Sequence, residues 1–491
     1  MNLKKATVFA GLIGLCGILS VQDANALPPP ISTPASGDEL EESSGVFGFL
    51  DGANRSQALL GDMWGLRKSL SNYGISLGIQ DIEEYLGNTM GGAKQGYGYD
   101  GMTQVLLQMD TNRAFGHYGG LFNASFLNIR GGLGVENNNI VALQTISGIQ
   151  AETTTRLWEL WYDQKFLEED RMDIKVGQQS LDQEYMVSSN ALYFVNTMFG
   201  WATLPSYNMP GGGPAYPLSS LGARVSTRPI DGVQILAGVY NGAPAKQYLD
   251  NAQLNNLHGM QFGLGQGVLS IVEAQFSYPS LGSMVSPGQS QPLGWTYKIG
   301  AWYNSLPFAD MQYDSAGMVL GGGECANSAS NCEPQMHKGN YAIYGVADQL
   351  IWRSASDPNR TVSIFGRVMG APQQDRNTIS MSANFGMLMR SPLKNRPADT
   401  FGLGFGYAQV SSSFANATRD AYMYSNTSGP VPTNEWMGEL TYQYQVKPWF
   451  ILQPDIQYIY NPGAGIPNPN SATSARVPNA LIAGVRGIFN F

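Results

Sequence analysis

The sequence predicts an all-β fold: a transmembrane antiparallel β-barrel of about 16 strands, preceded by a short N-terminal helix. Three observations carry this prediction. First, "MNLKKATVFAGLIGLCGILSVQDANA" has the parts of an export signal: Lys4 and Lys5, an apolar run from Ala6 to Val21, and an A-x-A site at Ala24-Asn25-Ala26. Second, only 13% of the residues are charged, against roughly 25% in soluble domains, while Gly (59), Tyr (25) and Trp (9) are abundant. Third, apolar residues recur with a period of two, the mark of a strand. No apolar run of about 20 residues follows the signal to form a membrane helix. An exported, charge-poor, alternating chain can enter a membrane only as a closed barrel, the one sheet that pairs all its backbone groups in lipid.

Taken in order, residues 1–26 read as a signal peptide, 27–73 as a linker and short periplasmic helix, and 74–491 as the outer-membrane barrel. The linker begins "LPPPISTPASGDELEE", and the helix lies within "SQALLGDMWGLRKSLSNYG", stopping at Gly74. In it, Asp62, Trp64 and Arg67 either plug or tether the periplasmic mouth, or simply pack. Alternating segments follow at 74–86, 99–113, 119–130, 154–166, 172–180, 221–228, 232–241, 268–278, 295–304, 341–352, 360–370, 379–388, 400–411, 433–446, 449–461 and 479–491. The connections support this reading, because periplasmic turns of such barrels are short and external loops long. "LEEDR", "PID" and "KP" are short, whereas 131–153, 181–220, 305–340, 412–432 and 462–478 are long. Two segments fit less well: a sixteen-residue periplasmic turn at 279–294, and a further short strand suggested at 259–267.

The alternation also assigns faces. Trp436, Leu440, Tyr442 and Tyr444 share one side of their strand, and Glu435, Glu439, Thr441 and Gln443 the other. Leu452, Ile456, Tyr458 and Tyr460 alternate with Gln453, Asp455 and Gln457, and Trp158, Leu160 and Tyr162 with Glu159, Trp161 and Asp163. The polar sets are too charged for a dry core, so they face a watery lumen, and the aromatic sets meet lipid. The last segment, "ALIAGVRGIFNF", then closes the barrel on the first strand with Phe491 on the lipid side.

Without Lys4, Lys5 and Asp23 the chain keeps 26 basic and 36 acidic residues, a net charge of −10. That excludes nucleic acid as a partner, since phosphates need clustered Lys and Arg. Cys325 and Cys332, in the loop "GGGECANSASNCEP", are suited to a short-loop disulfide in an exported chain.

Several stretches together resemble the carbohydrate-selective porins, the OprB family: "LLGDMWGLRKSLSNYGISL", "GNTMGG", "LWELWYDQKF", "DIKVGQQSLDQEYM" and "WFILQPDIQYIYNPG". The likeness runs from about residue 55 to 491. Met63 interrupts the family's usual Gly-Asp-Trp-Gly-Gly opening. The resemblance implies a sixteen-stranded outer-membrane channel of a Gram-negative bacterium that favours sugars. Its partners are then the sugar, outer-membrane lipid and the outer-membrane assembly machinery, with monomer and trimer both open.

A sugar offers hydroxyls and flat C–H faces, so its channel needs charged hydrogen-bonding pairs and aromatic rings, binding weakly enough to let go. The candidate donors are Arg224, Arg228 and Arg367, with Arg486, Lys175 and Lys298. The acceptors are Glu159, Asp163, Glu439 and Asp455, with Glu273 and Gln453, and the rings are Trp161 and Trp302. For any single one, solvating the wall is the plainer role. The segment 181–220 has no charge between Glu184 and Arg224 but holds Tyr193, Phe194, Phe199, Trp201 and Tyr207. It is too apolar for an external loop and is expected to fold into the barrel. An enzyme finds no support: three histidines sit apart in turns and loops, and no nucleophile stands beside a base. No cofactor or clustered metal ligand is evident. The reading is a passive channel for monosaccharides or small oligosaccharides. The alternatives are a general or ion-selective porin, or a structural or adhesive barrel.

Overall fold

The computed structural model describes residues 57–132, 139–246, 251–279, 293–322, 325, 332–471 and 473–491. The expected signal peptide and the linker up to residue 56 lie outside the described residues. Sixteen strands follow one another. They are β1 (Ile75–Met90), β2 (Gly96–Asp110), β3 (Gly120–Arg130), β4 (Thr154–Phe166), β5 (Met172–Gln179), β6 (Ser220–Ile230), β7 (Val233–Asn241) and β8 (Val268–Tyr278). Then come β9 (Trp295–Asp314), β10 (Pro334–Arg353), β11 (Thr361–Gly370), β12 (Ile379–Arg390), β13 (Thr400–Val410), β14 (Asn434–Lys447), β15 (Phe450–Tyr460) and β16 (Ala480–Asn490). Each pairs with the next, and β16 returns to β1, giving a closed barrel.

Every expected strand is present, and β4 and β8 have the expected limits. Residues 259–267 form no strand. The β9–β10 hairpin runs well past its expected ends into the external connection, because beyond the membrane band nothing requires lipid-facing alternation. Of the long turn after β8, only the ends are described. One connection expected as a loop contains a helix, Ser412–Tyr424, whose N-cap Ser411 accepts from the Phe414 N–H.

Closure places Asp81 opposite Phe489 and Gln80 opposite Asn490. On the outer face, the Phe489 ring stacks on Phe450 with centroids 4.5 Å apart. The expected facing holds on β14 and β15: Glu435, Glu439, Thr441, Gln453, Asp455 and Gln457 are buried inside, while Trp436, Leu440, Ile456 and Tyr458 are exposed outside. On β4 it fails at one residue. Ser125 of β3 lies opposite Glu159 and Phe126 opposite Leu157, so Trp158 is the extra residue of a bulge. Its side chain turns inward, buried edge-on against Tyr216 at 5.9 Å.

The periplasmic helix α1 (Leu66–Asn72) packs against β1. Of the three residues singled out before β1, Trp64 is exposed and Asp62 accepts the Lys68 N–H at 2.9 Å. Arg67 is the tether. Its guanidinium donates to the carbonyls of Gly61, Leu77 and Phe491, joining α1, the first strand and the end of the last. On the external side Cys325 and Cys332 are bonded to each other.

Two outcomes follow. Arg67→Ala removes charged hydrogen bonds of about 1.5–3 kcal/mol at the barrel seam, so the temperature at which the folded band converts to the unfolded band on a heat-modifiability gel is expected to fall. An unchanged conversion temperature argues against the tether. Free-thiol labelling of unreduced, unfolded protein is expected to find neither Cys325 nor Cys332 reactive, and Ser at both positions is expected to leave assembly nearly intact, because the staple closes a loop outside the wall.

Candidate functional site

Two external connections enter the barrel. The first joins β5 to β6. Phe194, Phe199 and Trp201, marked in the sequence as too apolar for water, are buried in it. Phe194 and Phe199 stack at 4.4 Å and meet Phe365 of β11 at 5.5 and 5.9 Å. The wall makes room for them with glycine: a Cβ at Gly404 of β13 would sit 2.5 Å from the Phe199 ring and 2.8 Å from Phe194. The second connection, between β3 and β4, is described from residue 139 and buries Ile140, Leu143, Ile146 and Ile149. Its inward course was not anticipated, although those four apolar residues, spaced by three, were the signal for it.

Backbone carried into the lumen must be hydrogen-bonded, and buried wall residues supply the partners. Arg367 on β11 donates to the carbonyls of Met186 (2.8 Å), Gly200 (2.7 Å) and Met198 (2.5 Å). Glu439 on β14 accepts the N–H groups of Val195 (2.6 Å) and Asn196 (3.0 Å). Glu159 on β4 accepts that of Ser180 at 2.9 Å. Asp455 on β15 accepts from Gln457, which donates also to the Ile146 carbonyl. Asp348 and Glu273, from β10 and β8, accept from Asn190 and Met186, and Glu435 holds Leu143 of the second loop. Glu159, Arg367, Glu439 and Asp455 thus point inward as the alternation requires. The structure places them as anchors of the folded-in loops or in their buried network, not as free lining. Within the first loop, burial pushes the Asp182 carboxyl up to about 6, opposed by donors from Ser180 and Tyr216.

A different group keeps access to water. On the β4–β6 wall, at the periplasmic side of the first loop, Arg224 donates through Nε and a terminal nitrogen to Glu184, both at 2.9 Å. It also pairs with Asp173 and stands 4.0 Å from Asp163. Lys175 pairs with the same Glu184, and its Nζ lies 4.4 Å over the Trp161 ring. Asp173 and Glu184 each keep 21% of their side-chain surface, against 1% for Glu84 in the neighbouring buried pair with Arg486. Arg228 departs from expectation. It lies at the β4–β5 turn, donating to the Glu169 and Asp170 carbonyls, because the strand has reached the rim there. The expected site thus divides into lining residues (Arg224, Asp163, Trp161), loop anchors and one rim residue. Sequence reasoning missed Asp173 altogether and passed over Glu184, although Glu184 is the last charge before the uncharged loop.

The fold also assembles an acidic group with histidine that no spacing revealed. His337 Nε2 is 2.7 Å from Asp310 and 3.6 Å from Asp375. Asp375 is already engaged by Arg376 at 2.9 Å, which holds its carboxyl below the usual range, and Asp310 accepts the Gln312 and Tyr313 N–H groups. That arrangement is a brace for the external β9–β10 hairpin.

A family model described as "Carbohydrate-selective porin, OprB family" matches residues 94–491. The chain belongs to the carbohydrate-selective porin, OprB family. Porin B of Pseudomonas aeruginosa is 24% identical over 455 residues, covering 88% of this chain and 90% of that one. Among solved structures, the high-pH structure of Pseudomonas putida OprB superposes with a TM-score of 0.76 at 20% identity, covering 90% of this chain and all of that one. The low-pH structure of the same protein gives 0.51 at 16% identity, covering 89% and 99%. The molecule is therefore a carbohydrate-selective porin of the Gram-negative outer membrane, a sugar channel in a sixteen-stranded barrel. The porin family and the fold point to a transport channel rather than an enzyme.

Arg367→Ala strips three loop carbonyls of their donor, each charged hydrogen bond being worth about 1.5–3 kcal/mol. The expected result in planar bilayers is a larger and noisier single-channel conductance from a barrel that still shows a heat-modifiable band. Conductance equal to that of the parent would mean that the loop is held without Arg367.

Proposed function

We propose that the channel passes monosaccharides and small oligosaccharides by passive diffusion. Arg224, Glu184, Asp163, Asp173 and Lys175, with Trp161, form the polar strip that receives them. The observation that carries this reading is the contrast in access. Glu159, Glu439 and Arg367 are spent on loop backbone and Arg486 on the buried Glu84, whereas Asp163, Asp173 and Glu184 of this strip keep surface around the buried Arg224. A sugar hydroxyl both donates and accepts, so it can take a guanidinium proton of Arg224 while donating to a carboxylate alongside. The Arg224 fork presents two parallel donors, a match for vicinal hydroxyls. One face of Trp161 is occupied by the Lys175 ammonium, so stacking on this ring is left to its other face. Glu184 already takes two Arg224 donors and the Lys175 ammonium, while the remaining Arg224 nitrogen and one oxygen each of Asp163 and Asp173 have no hydrogen bond, so a sugar exchanges most of its bonds rather than gaining them, and binding stays weak enough for release. We infer also that residues 1–26 direct export and are removed, and that the outer-membrane assembly machinery inserts the barrel.

Three carboxylates face two cations in the strip, which favours cations among ions. Arg224→Ala is expected to weaken sugar block of the ion current by about tenfold or more, the equivalent of losing a charged hydrogen bond of about 1.5–3 kcal/mol. It is also expected to shift ion preference further toward cations. Titration of single-channel current with glucose and a reversal potential in a salt gradient measure both. If neither changes, Arg224 lies away from the path.

A further inference from the structure

The barrel interior carries one charge that the channel does not use. Arg156 turns inward from β4, opposite Leu127 of β3, and only 2% of it is exposed. Its setting is apolar: Leu127 belongs to a buried cluster with Ile129, Ile149, Ala151, Trp158 and Tyr216. One guanidinium nitrogen, Nη2, donates to the Asn256 carbonyl at 3.1 Å. The other two, Nε and Nη1, are buried with no hydrogen-bond partner in the protein, and no carboxylate among the described residues pairs with them. The carboxylates of this region are engaged elsewhere. Glu159 accepts the Ser180 N–H, Glu152 accepts from the Asn251 amide at 2.6 Å, and Asp182 accepts from the Ser180 hydroxyl and the Tyr216 N–H. The other buried arginines of the lumen are provided for. Arg486 faces Glu84, Arg224 faces Glu184, and Arg367 fills its donors with three carbonyls.

A guanidinium keeps its proton in a protein, and a charge buried without a counter-charge is strongly destabilising. The same place lacks acceptors in a second way. Trp158, two residues along β4 and also turned inward, has a buried indole N–H with no partner. Guanidinium and indole are donors only. An acceptor that carries negative charge and no protons satisfies both. Water meets half of that demand, because it accepts the bonds but leaves the charge standing and brings two protons of its own to place. An organic anion is too large for so closed a site. The fully buried Tyr216 lies edge-on to Trp158, and its hydroxyl is tied to the Ile149 carbonyl at 2.9 Å. The β7–β8 connection closes over β4, where its Leu257 and His258 carbonyls accept from the Thr154 hydroxyl at 3.1 Å and the Leu157 N–H at 3.0 Å. A single-atom anion fits this chemistry and this enclosure.

We propose that Arg156, with the Trp158 indole, holds a buried halide ion, chloride in natural surroundings, which clamps the β7–β8 connection onto β4. The ion supplies the missing charge, and Nη2 joins the same guanidinium to Asn256 of that connection. The test uses the whole barrel and bromide as the probe. Crystals of the parent protein grown in sodium bromide are expected to show an anomalous-scattering peak at the bromine edge within hydrogen-bonding reach of Arg156 Nε and Nη1. Arg156→Met, first checked for a heat-modifiable band, is expected to show no peak there. In solution, replacing chloride by the larger methanesulfonate at equal ionic strength is expected to lower the temperature at which the parent's folded band converts. The same exchange is expected to leave Arg156→Met unmoved. Water alone at Arg156, a carboxylate turned onto its guanidinium, or bromide at surface positions only, as an adventitious ion only, would each overturn the proposal. So would a peak that persists in Arg156→Met, or a parent whose conversion temperature ignores the exchange. The parent crystal decides the matter even where the variant fails to assemble.

Discussion

Everything in this molecule follows from the requirement that a sheet in hydrocarbon leave no backbone group unpaired. β16 meets that requirement by pairing with β1 from Gln80 to Met90, and the rest is constrained by the result. A closed wall has two faces with a period of two, so each strand must offer lipid an apolar set and the lumen whatever remains. Arg67 secures the same seam from the periplasmic side by binding the carbonyls of Leu77 and Phe491. The ends of the first and last strands are thereby held by one side chain.

The same requirement then acts a second time, inside the lumen. A loop that leaves the external water and enters the barrel brings unpaired N–H and C=O groups with it. The wall answers with Glu435, Glu439, Glu159 and Arg367, each bonded to loop backbone. These are the residue types that a sugar site needs, in the strand positions a sugar site needs. An inward carboxylate that binds a hydroxyl and one that holds a peptide N–H are the same letter in the sequence. Only the three-dimensional path of the loop separates them. The glycine at 404 belongs to this scheme, because the Phe199 ring occupies the space of its missing side chain.

That explains what the sequence made legible. Strands in lipid are repetitive: β14 and β15 could be read in position and facing because each obeys one rule along its length, and β4 and β8 in their limits. The rule loses force where lipid ends, so the outer half of the β9–β10 hairpin went unread. It also breaks at a bulge, which turned Trp158 inward against expectation. The inward fold of the 181–220 connection was legible from its uncharged aromatics. The loop from residue 139 carried the same kind of signal in Ile140, Leu143 and Ile146, but without the aromatics that mark the 181–220 connection. Arg228 was misplaced because alternation gives a face and says nothing of height along the barrel.

Height and access decide the chemistry of the lumen. Arg367 and Arg224 are both inward arginines, and both are buried among partners. Arg367 binds three carbonyls, which cannot leave without unfolding the loop. Arg224 binds side-chain carboxylates, which can rotate away. A permeating hydroxyl competes with a carboxylate on nearly equal terms, because the carboxylate it displaces is freed into water and regains its solvation there. It cannot compete with a peptide carbonyl in a packed loop, whose release would leave a buried group unpaired. Exchangeability of the existing partner, more than the sign of the charge, therefore marks which polar residues of the wall are available to a neutral solute. That criterion is what supports the proposal that the β4–β6 strip binds and releases a sugar.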